Sequence, residues 1–247
     1  MSWDRLFPEI TFNLTSQWQT ALSLQPHVEK LLNTKIKVIN RKDKIHLASL
    51  YYKLARYYSA VSMDYQQALK YAKIALERRS ALYNNKNSNL ADSFHIVGVI
   101  YRKLGNIQES LTHLEKGLQI RKLLYYGIHP EIADSIHAIG SGYNQNGETA
   151  KGLKYAQIAL EMNQKLYFGN HYDTGCALNL VGISYLDLGD FQKSLEYFKS
   201  GLKIFYELNP APYEKIAALQ SYIAYNYNKL GNHEEALKYA QVSVNIF

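Results

Sequence analysis

Two pairs of side chains are spaced for metal chemistry: Asp92 with His95, and Asp134 with His137, each an acid and an imidazole three residues apart. On a helix that spacing brings both groups to one face, where they could share a divalent cation. No third and fourth ligands recur at a matching spacing, so no metal is expected. Cys176, with histidines nearby, has the makings of a thiol nucleophile, but lining a surface or partial burial is the more economical reading. Gly140-Ser141-Gly142 lacks the remainder of a phosphate-cradling loop, and no nucleophile-elbow pattern occurs. The chain is therefore read as a non-enzyme without a cofactor.

The bulk numbers narrow the class further. The chain has 247 residues, 47% of them hydrophobic and 20% charged, which is too apolar for a disordered segment. Its lone cysteine excludes an internal disulfide framework and suits a reducing compartment. Met1-Ser2-Trp3-Asp4-Arg5 does not open a secretory signal, and apolar runs such as Ile96 to Tyr101 are too short to span a bilayer. A soluble protein of the cytoplasm is expected, or one delivered into a host cytosol if it is of bacterial effector type. The net charge of +7 favours acidic partners. Tyrosine, at 22 residues against 8 Phe and 2 Trp, must be a repeated core position or a binding surface.

A period of 42 residues decides between those two. Gly105, Gly147, Gly189 and Gly231 each stand in a short polar turn, and Tyr101, Tyr143, Tyr185 and Tyr227 precede them by four residues. Gly98, Gly140, Gly182 and Ala224 lie seven before, while Ser110-Leu111, Gly152-Leu153, Ser194-Leu195 and Ala236-Leu237 follow. Gly117, Ala159, Gly201 and Ser243 close each copy. An imperfect fifth copy lies upstream, with Met63 in the glycine slot and Ala55, Tyr58 and Ala68-Leu69 around it.

Each copy reads as two helices. Phe94, Val97, Tyr101 and Leu104 share one helical face, as do Ile107, Leu111, Leu114 and Leu118. The second helix should run from about 107 to 125 and stop at Tyr126-Gly127-Ile128-His129-Pro130. Equivalent stops occur at Tyr83-Asn84-Asn85, Phe168-Gly169-Asn170 and Asn209-Pro210-Ala211-Pro212. Small residues belong where the two helices cross, because they let the backbones approach. Residues 1–45 do not repeat. Pro26 could open a helix through Val28, Leu31, Leu32 and Lys35 to Ile39, with the basic stretch Lys35 to Lys44 as its solvated end. This segment is read as a cap on the stack, with a separate recognition element as the alternative.

The small residue, tyrosine, turn glycine, small-Leu pair and closing small residue resemble the tetratricopeptide repeat family. The 42-residue period, the long second helix and His129-Pro130 are similar to its kinesin-light-chain-type branch, although the later copies replace that pair with His171-Tyr172 and Tyr213-Glu214. The resemblance implies an all-α, right-handed α-solenoid of about five helix-turn-helix repeats with an N-terminal helical cap. Repeats are expected at about 46–88, 89–130, 131–172, 173–214 and 215–247.

In that family the first helices line a concave groove, and the face opposite the core set supplies its wall. Those positions are Tyr52, Arg56 and Ser59, then Asp92, His95, Val99 and Arg102, then Asp134, His137, Ser141 and Asn144. Cys176, Asn179, Ile183 and Leu186 follow, and finally Ala218, Ser221, Tyr225 and Asn228. One register column, Tyr52, His95, His137, Asn179 and Ser221, can hydrogen-bond throughout. The branch places asparagine at this slot, and such a ladder can hold the backbone of an extended peptide. Tyr58, Tyr101, Tyr143, Tyr185 and Tyr227 are assigned to the core, and Tyr83, Tyr125 and Tyr167 to packing between repeats. Tyr52 and Tyr225 are assigned to the groove.

The leading expectation is a scaffold that binds a protein or peptide segment in its groove, with Arg56, Lys103 and Lys229 favouring acidic neighbours. The second is a regulator, of bacterial type by its Tyr, Asn, Lys and Ile usage, that wraps and inhibits a partner or senses a small peptide. Nucleic acid is the weakest class, because Lys70, Lys116, Lys154 and Lys238 are dispersed over second helices rather than gathered in a stripe. The apolar run Val242 to Phe247 is read either as a cut boundary or as a face that meets another chain, including a second copy.

Overall fold

The computed structural model describes residue 23, residues 25–30 and residues 40–244, and among these every regular element is a helix. The helices are α1 (Arg41–Ala60), α2 (Tyr65–Leu82), α3 (Ser88–Lys103), α4 (Ile107–Leu124), α5 (Pro130–Gln145), α6 (Thr149–Leu166), α7 (Tyr172–Asp187), α8 (Phe191–Glu207), α9 (Tyr213–Lys229) and α10 (His233–Val244). Two compact units divide the chain, Met1–Leu124 and Tyr125–Phe247. The first holds the hairpins α1/α2 and α3/α4. The second holds α5/α6, α7/α8 and α9/α10. Within each unit every helix packs on the next, so the architecture is a series of helix pairs, that of a helical-repeat solenoid.

Local chemistry sets the helix limits. Asn40 and Asp43 form a reciprocal capping box at the start of α1, and the side chains of Asp64, Asn87 and Asp190 cap α2, α3 and α8. His129 and His171 cap α5 and α7 differently: Nδ1 of each accepts the backbone N–H two residues on. Each imidazole is held flat against the tyrosine four residues earlier, Tyr125 at 3.6 Å and Tyr167 at 3.4 Å. Within four of the hairpins the turn glycine takes a positive φ of 78–80°, and in the first hairpin Met63 adopts φ 53° in its place. At the crossing points space is scarce. A Cβ on Gly182 would fall 2.6 Å from the ring of Phe198.

The tyrosine column is one half of a ladder. Tyr58 stacks on Tyr71, Tyr143 on Tyr155 and Tyr185 on Tyr197, with centroids 5.4–5.6 Å apart. Tyr101 meets His113 at 5.3 Å and Tyr227 meets Tyr239 at 5.6 Å in tilted geometry. One aromatic pair therefore ties the first helix of each hairpin to its second.

The described part of the basic stretch, from Arg41 to Lys44, does not end an upstream helix as expected. Arg41, Lys42 and Lys44 form the first turn of α1, because the Asn40–Asp43 box starts a new helix there. Upstream, residues 25–30 are helical, while Leu31 to Ile39, both tryptophans and Asn245 to Phe247 lie outside the described residues. Val28 is buried among Leu50, Leu54, Tyr58 and Tyr71. Glu29 accepts hydrogen bonds from the hydroxyls of Tyr58 (2.7 Å) and Tyr71 (2.6 Å), and Gln25 donates to both Glu29 and Tyr58. These contacts fix the segment onto the first hairpin. On α10, Leu237 and Val244 are exposed, whereas their register equivalents Leu195 and Leu202 on α8 are buried.

Candidate functional site

In the first unit all four helices contribute to one charged cluster. Asp92 and His95 lie one turn apart on α3, and α4 delivers Arg121 to both. Its Nη2 donates to Asp92 Oδ1 at 2.9 Å, and its Nη1 lies 3.5 Å from His95 Nδ1. From α2, Arg79 lays its guanidinium 4.3 Å over the ring of Tyr52 and donates to the Asn89 carbonyl (2.7 Å) and to Ser93 Oγ (3.0 Å). Both arginines are only 4% exposed, so their charges act through a poorly screened medium. Burial raises the pKa of the Tyr52 hydroxyl and Asp92 raises it further, while Arg56, Arg79 and Arg121 pull it down. Arg102 lies two turns past His95 on the same face of α3. Its Nε is buried with no hydrogen-bond partner among the described residues, and burial lowers its pKa.

Helix-face periodicity brought Tyr52, Arg56, Asp92, His95 and Arg102 forward, but not Arg79 and Arg121. Their signal was available in the period: they stand 42 residues apart at one register position of the second helix.

The second unit arranges the same register differently. Asp134 is exposed, and His137 is half-buried with Nε2 3.3 Å from the carbonyl oxygen of Cys176 on α7. Asn179, half-buried on α7, has a buried side-chain oxygen with no hydrogen-bond donor among the described residues. Ser221 places its hydroxyl 2.8 Å from that of Ser243 and donates to the Ala217 carbonyl, so it engages its own hairpin. Ser141 is half-buried. Tyr225, 48% exposed, has Lys229 5.2 Å over its ring, and the Asn228 side-chain oxygen lies 2.8 Å from His233 Nδ1.

Asn144, expected on the open face, is instead buried and donates from Nδ2 to Ser184 Oγ at 2.8 Å. The cause is Gly152: where other copies carry serine or alanine, its missing side chain leaves the notch that the Asn144 amide fills. Cys176 is half-buried, and burial pushes its thiol up to about 11, which keeps it protonated near neutrality. Among the described residues no group of three or more His, Cys, Asp or Glu side chains gathers for a metal, and no helix is long and apolar enough to cross a membrane.

The tetratricopeptide repeat family model matches residues 46–122 and 131–207. Several solved structures share the fold. The nearly identical repeats of a kinesin light chain from Podosopora anserina are 19% identical over 85% of this chain and 97% of theirs, with a TM-score of 0.67. BtubC from P. vanneervenii is 16% identical over 96% and 91%, TM-score 0.70. A Rap protein complexed with Competence and Sporulation Factor is 16% identical over 99% and 74%, TM-score 0.72. No curated protein matches the sequence. With the repeat model covering most of the chain and helix pairs in matching register, the chain belongs to the tetratricopeptide repeat family.

Proposed function

We propose that the chain is an interaction scaffold whose first helices hold a protein or peptide segment along the face opposite their packed side. The observation that carries this reading is Asn179. A buried amide oxygen without a donor is costly on its own, and the backbone N–H of an extended peptide is the donor that would satisfy it. His137 lies one repeat earlier in the same register, within the same unit. A helix-pair array is stiff, which lowers the ordering cost of capture. The likeness to a Rap conjugation gene regulator solved with the Phr* peptide supports peptide capture as the mode. Binding rather than catalysis also accords with a Cys176 thiol held protonated by burial.

The test is selection of binding peptides from a random library on the full chain, followed by affinity measurement on Asn179→Ala and on His137→Ala/Asn179→Ala. We expect about a tenfold loss for the single variant, the size of one buried hydrogen bond, with unchanged helicity. N-methylation of one peptide nitrogen should reproduce the loss. Selected peptides that bind wild type and both variants equally would remove the assignment.

A regulatory role is the second reading, in which the captured segment changes what the array binds. It is favoured by the likeness to the Rap conjugation gene regulator of plasmid pLS20, solved with the Phr* peptide. Tight one-to-one binding to a folded enzyme, with loss of that enzyme's activity, would favour it over a plain scaffold.

A further inference from the structure

Exposed aromatic rings line one end of the second unit's helix pairs. Tyr126 and Phe168 hold the same register position, 42 residues apart, and both are fully exposed. Tyr213, which follows the next connection, is 65% exposed. The first two rings stand on a fixed backbone. Tyr125 and Tyr167, one residue earlier, are held flat against His129 and His171, and Gly127 and Gly169, one residue later, turn the chain at φ 75° and 78°. All three connections lead from a second helix into a first helix, so the antiparallel packing of consecutive helices brings them to one edge. The side-chain amide of Asn170 donates to Glu207, which ties the second connection to the third.

We propose that this edge binds a basic, arginine-bearing segment of another protein, with guanidiniums laid over the exposed rings. Elsewhere in the same unit, tyrosine rings carry cations from their own chain. Lys151 lies 5.3 Å over Tyr143, Lys193 5.2 Å over Tyr185 and Lys199 4.9 Å over Tyr227. Tyr126, Phe168 and Tyr213 have no such cover among the described residues, and their exposure leaves the ring faces open to a cation from outside. The charge of the edge selects the same partner. Residues 125–131, 167–173 and 206–214 hold four carboxylates and neither lysine nor arginine, in a chain with 28 of those two. Glu207 and Glu214 are exposed, and the Asp173 side chain is half-exposed. The flanking lysines lie on helices, where Lys165 is ion-paired to Glu161 and Lys215 is half-buried. Arginine meets both features at once, because its planar group stacks on a ring while its edge donates to a carboxylate. A purely apolar partner would bury these carboxylates without compensation. The edge lies apart from the first-helix face, so the proposal does not rest on the peptide-capture reading.

The test titrates the full chain, by calorimetry at low and near-physiological salt, with alternating arginine–glycine, lysine–glycine and glutamate–glycine octapeptides. The arginine peptide should bind about two- to fivefold more tightly than the lysine peptide, and the glutamate peptide should not bind. Each ring is worth a similar factor, so Tyr126→Ala/Phe168→Ala should lose about tenfold. Tyr126→Leu/Phe168→Leu should lose nearly as much, because leucine keeps apolar area but offers no ring face. Glu207→Gln/Glu214→Gln should lose about two- to fivefold, and more at low salt. Leu188→Ala, exposed at the turn between α7 and α8, should lose nothing, and neither should Asn179→Ala. Circular dichroism on each variant separates loss of binding from loss of fold. Full binding by the leucine pair overturns the proposal, as does an equal loss in Leu188→Ala or equal affinity for the glutamate peptide. Loss in Asn179→Ala overturns it too, by moving the peptide to the first-helix face. Phosphatidylcholine vesicles that retain the chain only while Tyr126 and Phe168 are present would make the ligand a lipid surface instead. A dimer in sedimentation that the alanine pair dissolves would make it a second copy.

Discussion

One register position of the second helix separates the two units. In the first unit it holds Arg79 and Arg121, and in the second Asn163 and Phe205, each 42 residues after the last. The backbone environment repeats: Arg79 donates to the carbonyl of Asn89, and Asn163 donates to that of Asp173, the same point two repeats on. The electrostatic result does not repeat. Arginine at this slot reaches an acid or a tyrosine ring on a first helix, whereas Phe205 fills space against Gly175 and Tyr172. The repeat sets where a side chain is delivered, and the residue delivered there decides whether the face is charged or apolar.

Removing the apolar occupant should have the largest effect. Phe205 is 0% exposed, so Phe205→Ala should cost about 3–5 kcal/mol of unfolding free energy, read as a shift in urea midpoint. A cost below about 1 kcal/mol would mean that the slot is not a packing site in the second unit.

Cys176 reports the same apolar character by a different measurement. With burial holding its thiol near 11, the thiolate appears only as pH climbs towards that value. At pH 8 alkylation of the folded chain should run about a hundredfold slower than in urea, where the thiol returns to its ordinary range. Equal rates would make the second unit's face wet and the contrast between units weaker.

The ion pair comes next. Asp92 is 28% exposed and Arg121 nearly buried, so a double-mutant cycle on Asp92→Asn and Arg121→Gln should return about 1–2 kcal/mol of coupling. The equivalent cycle in the second unit, Asp134→Asn with Asn163→Ala, should return coupling within the roughly 0.5 kcal/mol scatter of independent sites. Similar couplings in both units would erase the distinction drawn from Arg79 and Arg121.

The helix pairs are legible in the chain because glycine, tyrosine and small residues recur in register, and each recurrence has a packing cause. Half of the aromatic ladder is legible in the same way, since Tyr101, Tyr143, Tyr185 and Tyr227 precede a turn glycine. Their partners Tyr155, Tyr197 and Tyr239 lie twelve residues on, but they share their column with His113, which hides the pattern from a search for identical residues. The candidate site is less legible. Tyr52, Asp92 and His95 follow from helix-face geometry, but arginine on a second helix reads as a solvated residue until its neighbours are known. Glu29 is further out of reach, because its two tyrosine partners lie 29 and 42 residues away and no periodicity links them. Asn144 is misread for a similar reason: whether an asparagine lines an open face or fills a notch depends on Gly152, across the turn.

The smallest expected effect concerns the turns. Those in the second unit, and the turn between α3 and α4, place glycine at φ 78–80°, whereas the first hairpin forces Met63 to φ 53° with its side chain exposed. For a residue with a Cβ, that region costs roughly 1–2 kcal/mol, while glycine enters it freely but surrenders more backbone entropy on folding. The first term exceeds the second here, because the Met63 side chain is 67% exposed and gives up little packing when removed. Met63→Gly should therefore stabilise the chain by about 0.5–1 kcal/mol, a rise of a few degrees in Tm. Gly147→Met in the second unit should lower stability by a similar amount. If Met63→Gly is instead destabilising, the methionine holds the α1/α2 turn through contacts of its own, and the first hairpin departs from the repeat in its turn as well as in its arginine.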